Sequence, residues 1–237
     1  MKLTGKTVVI TGADGGMGTV VCRSLAEEGA NLALCSNNGE NLEKVVGEIQ
    51  AKFADCRIVW AQVDVTDETQ VEAFTAKAAE AFGSFDLLVN LAGLSIPSQY
   101  AQTEEATYDA MMNVNVKGSF FMSKHFAAHA NNPSRIINVG SMAARNTNAN
   151  APIYCMAKAA VNKLSEGLLL QLGKQGINVS TVNPGGADTP FWGTRAVDRS
   201  KLMSAEDVAE VILFVAHLAD YIQLHSVDFE SAAKFRG

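Results

Sequence analysis

The stretch KTVVIT at residues 6–11 runs straight into Gly12-Ala13-Asp14-Gly15-Gly16-Met17-Gly18, and a helical pattern starts at once over 17–28. A short, nearly continuous β-branched run reads as a strand covered on both faces. The glycines permit a tight turn and close backbone approach, so a pyrophosphate can rest on the free N–H groups at the helix N-terminus. The spacing is Gly-x-x-x-Gly-x-Gly, not the common Gly-x-Gly-x-x-Gly. Such a pattern alone is a glycine-rich turn. Its place between a first strand and a helix makes it a candidate nucleotide site.

The same alternation continues outward from this turn. Strand-like runs occupy 31–36, 57–63, 85–90, 135–140, 177–183 and 225–229, and helical patterns occupy 40–52, 68–82, 108–130, 151–174 and 205–218. Apolar strands joined by helices predict a parallel sheet covered on both faces. Gly29, Gly83 and Gly176 each end a helical pattern just before a strand, as left-handed caps do. No linker, repeat or low-complexity tract interrupts residues 1–237. The expected fold is a single doubly wound α/β domain with seven parallel strands, carrying both nucleotide and substrate sites.

Composition narrows the class. The formal charge of −6 disfavours nucleic acid and anionic membranes as partners. No apolar run reaches the roughly 20 residues that span a bilayer, and residues 1–10 enter a strand without a secretory h-region. Cys22, Cys35, Cys56 and Cys155 form no Cys-x-x-Cys pair and read as reduced thiols. The cytoplasm is the expected location.

Tyr154-Cys155-Met156-Ala157-Lys158 lies in the predicted 151–174 helix, with Ser141 upstream. Positions i and i+4 project from one helix face. A phenol gives up its proton near about pH 10, and an adjacent ammonium favours the phenolate. The pair therefore reads as a proton shuttle for alcohol–carbonyl interconversion.

With the glycine turn, Asn90-Leu91-Ala92-Gly93, Ser141, Tyr154 and Lys158 together, the sequence resembles the short-chain dehydrogenase/reductase family over about residues 5–220. The resemblance implies an oxidoreductase using NAD or NADP on a secondary alcohol or ketone. It implies that Thr11, Gly12, Asp14, Gly15, Gly16, Met17 and Gly18 form the cofactor turn, with Ser36 and Asn37 after the second strand. Asp64 and Val65 correspond to its adenine contact. Asn90, Ala92 and Gly93 match the segment that steadies the sheet beside the cofactor. Pro184, Gly185, Ala187 and Thr189 match the loop that grips the nicotinamide carboxamide. Asn115, Ser141, Tyr154 and Lys158 match the catalytic tetrad. In that scheme Tyr154 is the acid or base, and Ser141 donates to the substrate oxygen. Lys158 lowers the tyrosine pKa and bonds the nicotinamide ribose, and Asn115 anchors a water linking Lys158 to solvent. No metal is required.

Departures accompany the matches. Leu91 stands where a second asparagine is common, and Ala187 where a branched apolar residue is usual. The stretch from Thr189 to Ser204 is short for a substrate lid, and the end reads SVDFESAAKFRG, not the usual Val-Asp-Gly-Gly. The last two changes leave substrate class and subunit geometry open.

Other residues have blander readings. His125 and His129 stand four apart on a helix, but Phe126 occupies the place of the glutamate in a His-Glu-x-x-His metal site. Phe191 and Trp192 could line the substrate pocket or pin the short lid. Asn146, Asn148 and Asn150 read as loop residues that could also meet substrate. Val161, Leu164, Leu168 and Leu172 form a core or interface stripe. A homodimer or homotetramer is expected through 108–130 and 151–174, whose Ala127, Ala128, Ala159 and Ala160 allow close helix approach.

Cofactor choice rests on charge. Enzymes preferring NAD usually carry an acid about 20 residues beyond the glycine turn. Here Ser36, Asn37 and Asn38 hold that place, and no arginine awaits a 2′-phosphate at Asn37 or Gly15. Asp14 would repel such a phosphate, so NAD(H) is favoured over NADP(H). The rival reading is a nucleotide-binding protein of this fold that has lost turnover, as a redox sensor or scaffold. The complete tetrad argues for the enzyme.

Overall fold

The computed structural model describes residues 3–236. Its strands are β1 (Thr7–Thr11), β2 (Asn31–Ser36), β3 (Ile58–Gln62), β4 (Phe85–Asn90), β5 (Ala130–Val139), β6 (Ile177–Pro184) and β7 (Ser226–Phe229). They form one parallel sheet in the order β3-β2-β1-β4-β5-β6-β7. The helices are α1 (Gly16–Glu27), α2 (Gly39–Lys52), α3 (Glu68–Phe82), α4 (Glu105–Met112), α5 (Gly118–Ala127), α6 (Pro152–Leu172) and α7 (Ala205–His217).

Strand alternation divides the core in two. Val8 and Ile10 of β1 join Leu32, Leu34, Leu87 and Val89 under α1, α2 and α7, which contribute Val21, Leu25, Leu42, Val45, Val208 and Ile212. Val9 faces the other way, with Ala33, Leu88, Ile136 and Val179, under Val71, Phe74, Met122, Phe126 and Leu168 from α3, α5 and α6. Both faces are therefore covered, as continuous apolar strands require. The expected stripe on α6 lies here: Val161 and Leu168 are buried, and Leu164 and Leu172 pack against this second core. Gly29, Gly83 and Gly176 have φ of +80°, +86° and +77°, the region an L side chain avoids.

Strand order reverses beside β1, whose neighbours are β2 and β4. Ligands of open α/β sheets bind outside the strand C-termini at such a switch point. Thr11 pairs in register with both Cys35 and Asn90, so three strand ends meet there.

Two elements differ from expectation. The predicted 108–130 helix is broken: α4 ends at Met112, a π-helical turn covers Asn113–Lys117, and α5 ends at Ala127. The strand expected at 135–140 begins earlier, at Ala130, because Phe85 of β4 pairs with it there.

Gly18 shows how tight the first turn is. A Cβ there would sit 2.1 Å from the Gly12 carbonyl oxygen and 3.0 Å from Ala13 Cα, all backbone atoms. Gly18→Ala is expected to cost about 1–3 kcal/mol of stability, the usual range for overpacking. Urea denaturation measures this, and an unchanged midpoint would contradict the packing described.

Candidate active site

The α1 N-terminus opens onto a cavity of about 310 Å³ lined by Gly12, Asp14, Gly15, Gly16, Met17, Gly18, Ser36, Asn37, Asp64, Val65, Ala92, Gly93 and Thr189. Gly15 caps α1 without a side-chain hydrogen bond, and the first turn carries no acidic residue. Helix-end N–H groups and the positive dipole end thus remain available to an anion. The walls close in around the glycines. A Cβ on Gly16 would lie 2.7 Å from Thr189 Cβ and 2.8 Å from Pro190 Cδ, and one on Gly12 would lie 3.0 Å from Ala92 N and Cα.

Thr11 and Asn90 lie behind this wall. Thr11 Oγ1 accepts from the amides of Leu91 at 3.1 Å and Ala92 at 3.0 Å, clasping β1 to the loop after β4. Asn90 Nδ2 donates to Asn138 Oδ1 at 2.8 Å, and Asn138 Nδ2 donates to Ser165 Oγ at 2.8 Å, tying β4 and β5 to α6. At the far end of the cavity the Ser36 hydroxyl donates to the Asp14 carboxylate.

A second cavity of about 430 Å³ adjoins the first, with Met17, Leu91, Gly93, Thr189 and Phe191 common to both. Ser141, Tyr154, Lys158, Pro184, Gly185 and Ala187 line it. Asn148 Oδ1 accepts from the amides of Asn150 at 3.1 Å and Ala151 at 2.9 Å, turning the chain into α6. Pro152, with its preset φ, opens the helix. Tyr154 then falls in the first turn, its ring 6.0 Å from Phe191.

Ser141 is fixed through its backbone. Its amide donates to Asn183 Oδ1 at 3.1 Å, and Asn183 Nδ2 donates to Asp228 Oδ1 at 2.7 Å. Asp228 is held by Arg145 Nε at 2.8 Å. Ser141 Oγ accepts from the Ala143 amide at 3.1 Å, and its hydroxyl hydrogen-bonds Tyr154. Asn183 Oδ1 lies 2.0 Å from the position a Cβ on Gly140 would take, so only glycine fits beside it.

The tyrosine–lysine pair departs from expectation. Lys158 Nζ donates to the Val139 carbonyl at 2.9 Å and stands 5.8 Å from the Tyr154 ring centre. Burial lowers the lysine from 10.5 to about 8. Burial also raises the Tyr154 phenol to about 12, against a smaller lowering by its hydrogen bond to Ser141. Desolvation by burial is the largest influence on the phenol, and the lowering expected from the ammonium does not offset it.

Asn115 sits in the π turn and lines neither cavity. Its Nδ2 donates to the carbonyls of Leu94 and Met111, each at 2.8 Å. Asn115 Oδ1 and Lys158 Nζ lie 3.2 and 3.4 Å from the point where Gly93 would carry a Cβ, so Gly93 lets them converge. His125 Nε2 lies 3.2 Å from Glu68 Oε1, and His129 meets the Phe85 ring edge-on, both away from the cavities.

Comparison with known proteins agrees with this layout. The short chain dehydrogenase family profile matches residues 6–200. The chain belongs to that family. An uncharacterized oxidoreductase of Staphylococcus saprophyticus is 29% identical over 229 residues, covering 96% of this chain and 97% of that protein. A dehydrogenase/reductase from Sinorhizobium meliloti superposes with a TM-score of 0.88 at 30% identity, covering 98% and 96% of the two chains. A short chain dehydrogenase from Burkholderia cenocepacia, solved in complex with NADP, gives a TM-score of 0.90 at 29% identity and covers 99% and 100%.

As a short chain dehydrogenase, the chain is an oxidoreductase with wall residues that no motif indicated. Met142, Ala143 and Gly186 add apolar surface, and Thr147, Glu230 and Lys234 add polar groups. Asn183 directly precedes Pro184-Gly185, a position that could have drawn attention to it. Glu230 and Lys234 carried no signal beyond the atypical ending. Phe191 and Trp192 are placed by contacts within their own loop. Each lines the second cavity, Arg195 stacks 5.0 and 5.3 Å from their rings, and Trp192 Nε1 donates to the Ala187 carbonyl at 2.7 Å.

Proposed function

We propose that this chain interconverts a secondary alcohol and a ketone by hydride transfer, with Tyr154 moving the proton. The observation that carries the reading is the convergence of Ser141, Tyr154 and Lys158 on one cavity that adjoins the glycine cradle. A bound nicotinamide nucleotide supplies or accepts the hydride. The cradle suits its phosphates, since the α1 end is uncapped and side chains at Gly12 and Gly16 would crowd it. Gly12, Gly15, Gly16, Met17 and Gly18 would hold the pyrophosphate, Asp64 and Val65 the adenine, and Pro184 through Thr189 the carboxamide end.

Tyr154 is protonated at neutral pH in this environment, which suits it to donate to a developing alkoxide. Ser141 would turn its hydroxyl proton from Tyr154 to the same oxygen. Lys158 contributes positive charge nearby, and Asn115 steadies the backbone around Gly93. One domain carries both sites. The test is a screen of ketones, hydroxysteroids, sugars, polyols and acyl thioesters while nicotinamide absorbance is followed. Failure of every carbonyl class to be turned over refutes the reading.

NAD(H) is the proposed cofactor. No lysine or arginine among the described residues lines the cavity that holds Asp14, and Ser36 already donates to that carboxylate. A 2′-phosphate would meet an uncompensated negative charge, worth about 1 kcal/mol at a solvated site. Asp14→Ser is expected to shift preference several-fold toward NADP(H), read both in fluorescence titration of cofactor binding and in kcat/KM. A tenfold preference of the wild type for NADP(H) would refute this assignment.

The proposed setting is the cytoplasm, with a small-molecule substrate. No helix among the described residues is long and apolar enough to cross a membrane. A homodimer or homotetramer through α5 and α6 is proposed, where Phe120, Met156 and Leu170 are exposed. Light scattering at micromolar concentration tests it.

A further inference from the structure

Glu230 and Lys234 line the cavity that Ser141 and Tyr154 share, yet the hydride-transfer chemistry gives them no part. Both follow β7, where the ending departs from the family pattern. Their placement is built in. The Gly185 amide donates to the Phe229 carbonyl at 2.7 Å, and a Cβ on Gly185 would lie 2.5 Å from Glu230 Cβ. The glutamate therefore lies directly against the Pro184-Gly185 turn.

Its side chain is only 15% exposed, and Lys234, whose side chain is 53% exposed, brings Nζ to 2.6 Å from Oε2. An ionised carboxylate only accepts, and it has more lone pairs than one ammonium fills. Oε1 has no hydrogen-bond partner among the described residues. The side chains of Asn146 and Thr147, which line the same cavity, are likewise bonded to no other described residue. Met142, Phe191 and Trp192 add apolar surface to the same cavity. The cavity thus combines apolar lining with a largely buried acceptor that lacks a donor. A substrate carboxylate would face Glu230 while Lys234 is already engaged.

We propose that Glu230 accepts a hydrogen bond from a hydroxyl group on the substrate. The chain then favours hydroxyketones and their diols over deoxy analogues and over keto acids. This rests on the alcohol–ketone reading above. Hydrogen bonds to a charged acceptor are the stronger kind, and a site built for a hydroxyl discriminates against the analogue lacking it.

The matched probes are 1-hydroxy-2-butanone, 2-butanone and 2-oxobutanoate, assayed as substrates of wild type, Glu230→Gln and Lys234→Gln. The hydroxyketone is expected to exceed 2-butanone by at least about tenfold in kcat/KM. Glu230→Gln should narrow that gap to under about threefold, because the neutral amide accepts more weakly. A wild-type ratio near one, or the same ratio in Glu230→Gln, overturns the proposal. So does a preference for 2-oxobutanoate that Lys234→Gln abolishes. Trp192 lines the cavity, so quenching of tryptophan fluorescence by 1,2-butanediol against 2-butanol gives a reading without turnover. If no ketone reacts, the alcohol–ketone reading fails, and the titration alone decides this one. Tighter diol binding that Glu230→Gln removes supports it, and equal binding refutes it.

Discussion

Tyr154→Phe is expected to lose about 10²–10⁴-fold in turnover while folding and binding cofactor much as the wild type does. The ring keeps its contact with Phe191 at 6.0 Å, so packing changes little. Only the hydroxyl goes, and with it the proton donor proposed for the alkoxide. Steady-state rates on the best substrate and cofactor fluorescence titrations measure the two halves of this expectation. A phenylalanine variant turning over near the wild-type rate would show that another donor serves the reaction.

Lys158→Met should have the second large effect, and in opposite directions for activity and stability. Activity should fall steeply, because the cation beside the reacting groups is lost. Stability should rise at neutral pH. The ammonium is buried with a folded pKa of about 8, against an ordinary 10.5. Below pH 8 both folded and unfolded chains hold the proton, so the penalty for burying the charge is complete. Between the two values the unfolded chain binds more protons than the folded one, so wild-type stability rises with pH. Above 10.5 the penalty is gone. At pH 7 it is on the order of 2–4 kcal/mol, reduced by the lost bond to the Val139 carbonyl. Calorimetry at pH 7 and pH 10.5 should show methionine raising Tm at the first and little at the second. Equal shifts at both would contradict the charge argument.

The sequence showed what short-range chemistry dictates. The strand–glycine–helix turn at 6–18, the alternation behind it and the Tyr154–Lys158 spacing were legible, because each is local. What was hidden depends on partners distant in the chain. The direction of the Tyr154 shift follows from burial, to which the distant Phe191 ring contributes. The hold on Ser141 runs through Asn183 to Asp228, whose positions in the sequence do not suggest contact. The early start of β5 is hidden because Asn131, Asn132 and Pro133 are residue types that favour turns over strands. Glu230 and Lys234 reach the cavity only because β7 ends beside Gly185.

The π turn at Asn113–Lys117 has a consequence for how the chain tolerates changes in length. Such a turn is an α-helix with one residue too many. Deleting one residue within it would let α4 run into α5 with ordinary hydrogen bonding throughout. Most helices resist a deletion because every later side chain then swings about 100° around the axis. Here the excess residue absorbs the cut, and α5 keeps its buried face. Asn115 would instead be rotated away from Leu94 and Met111. A shortening that relaxes the helix thus removes the Asn115 hydrogen bonds that brace the backbone beside Gly93.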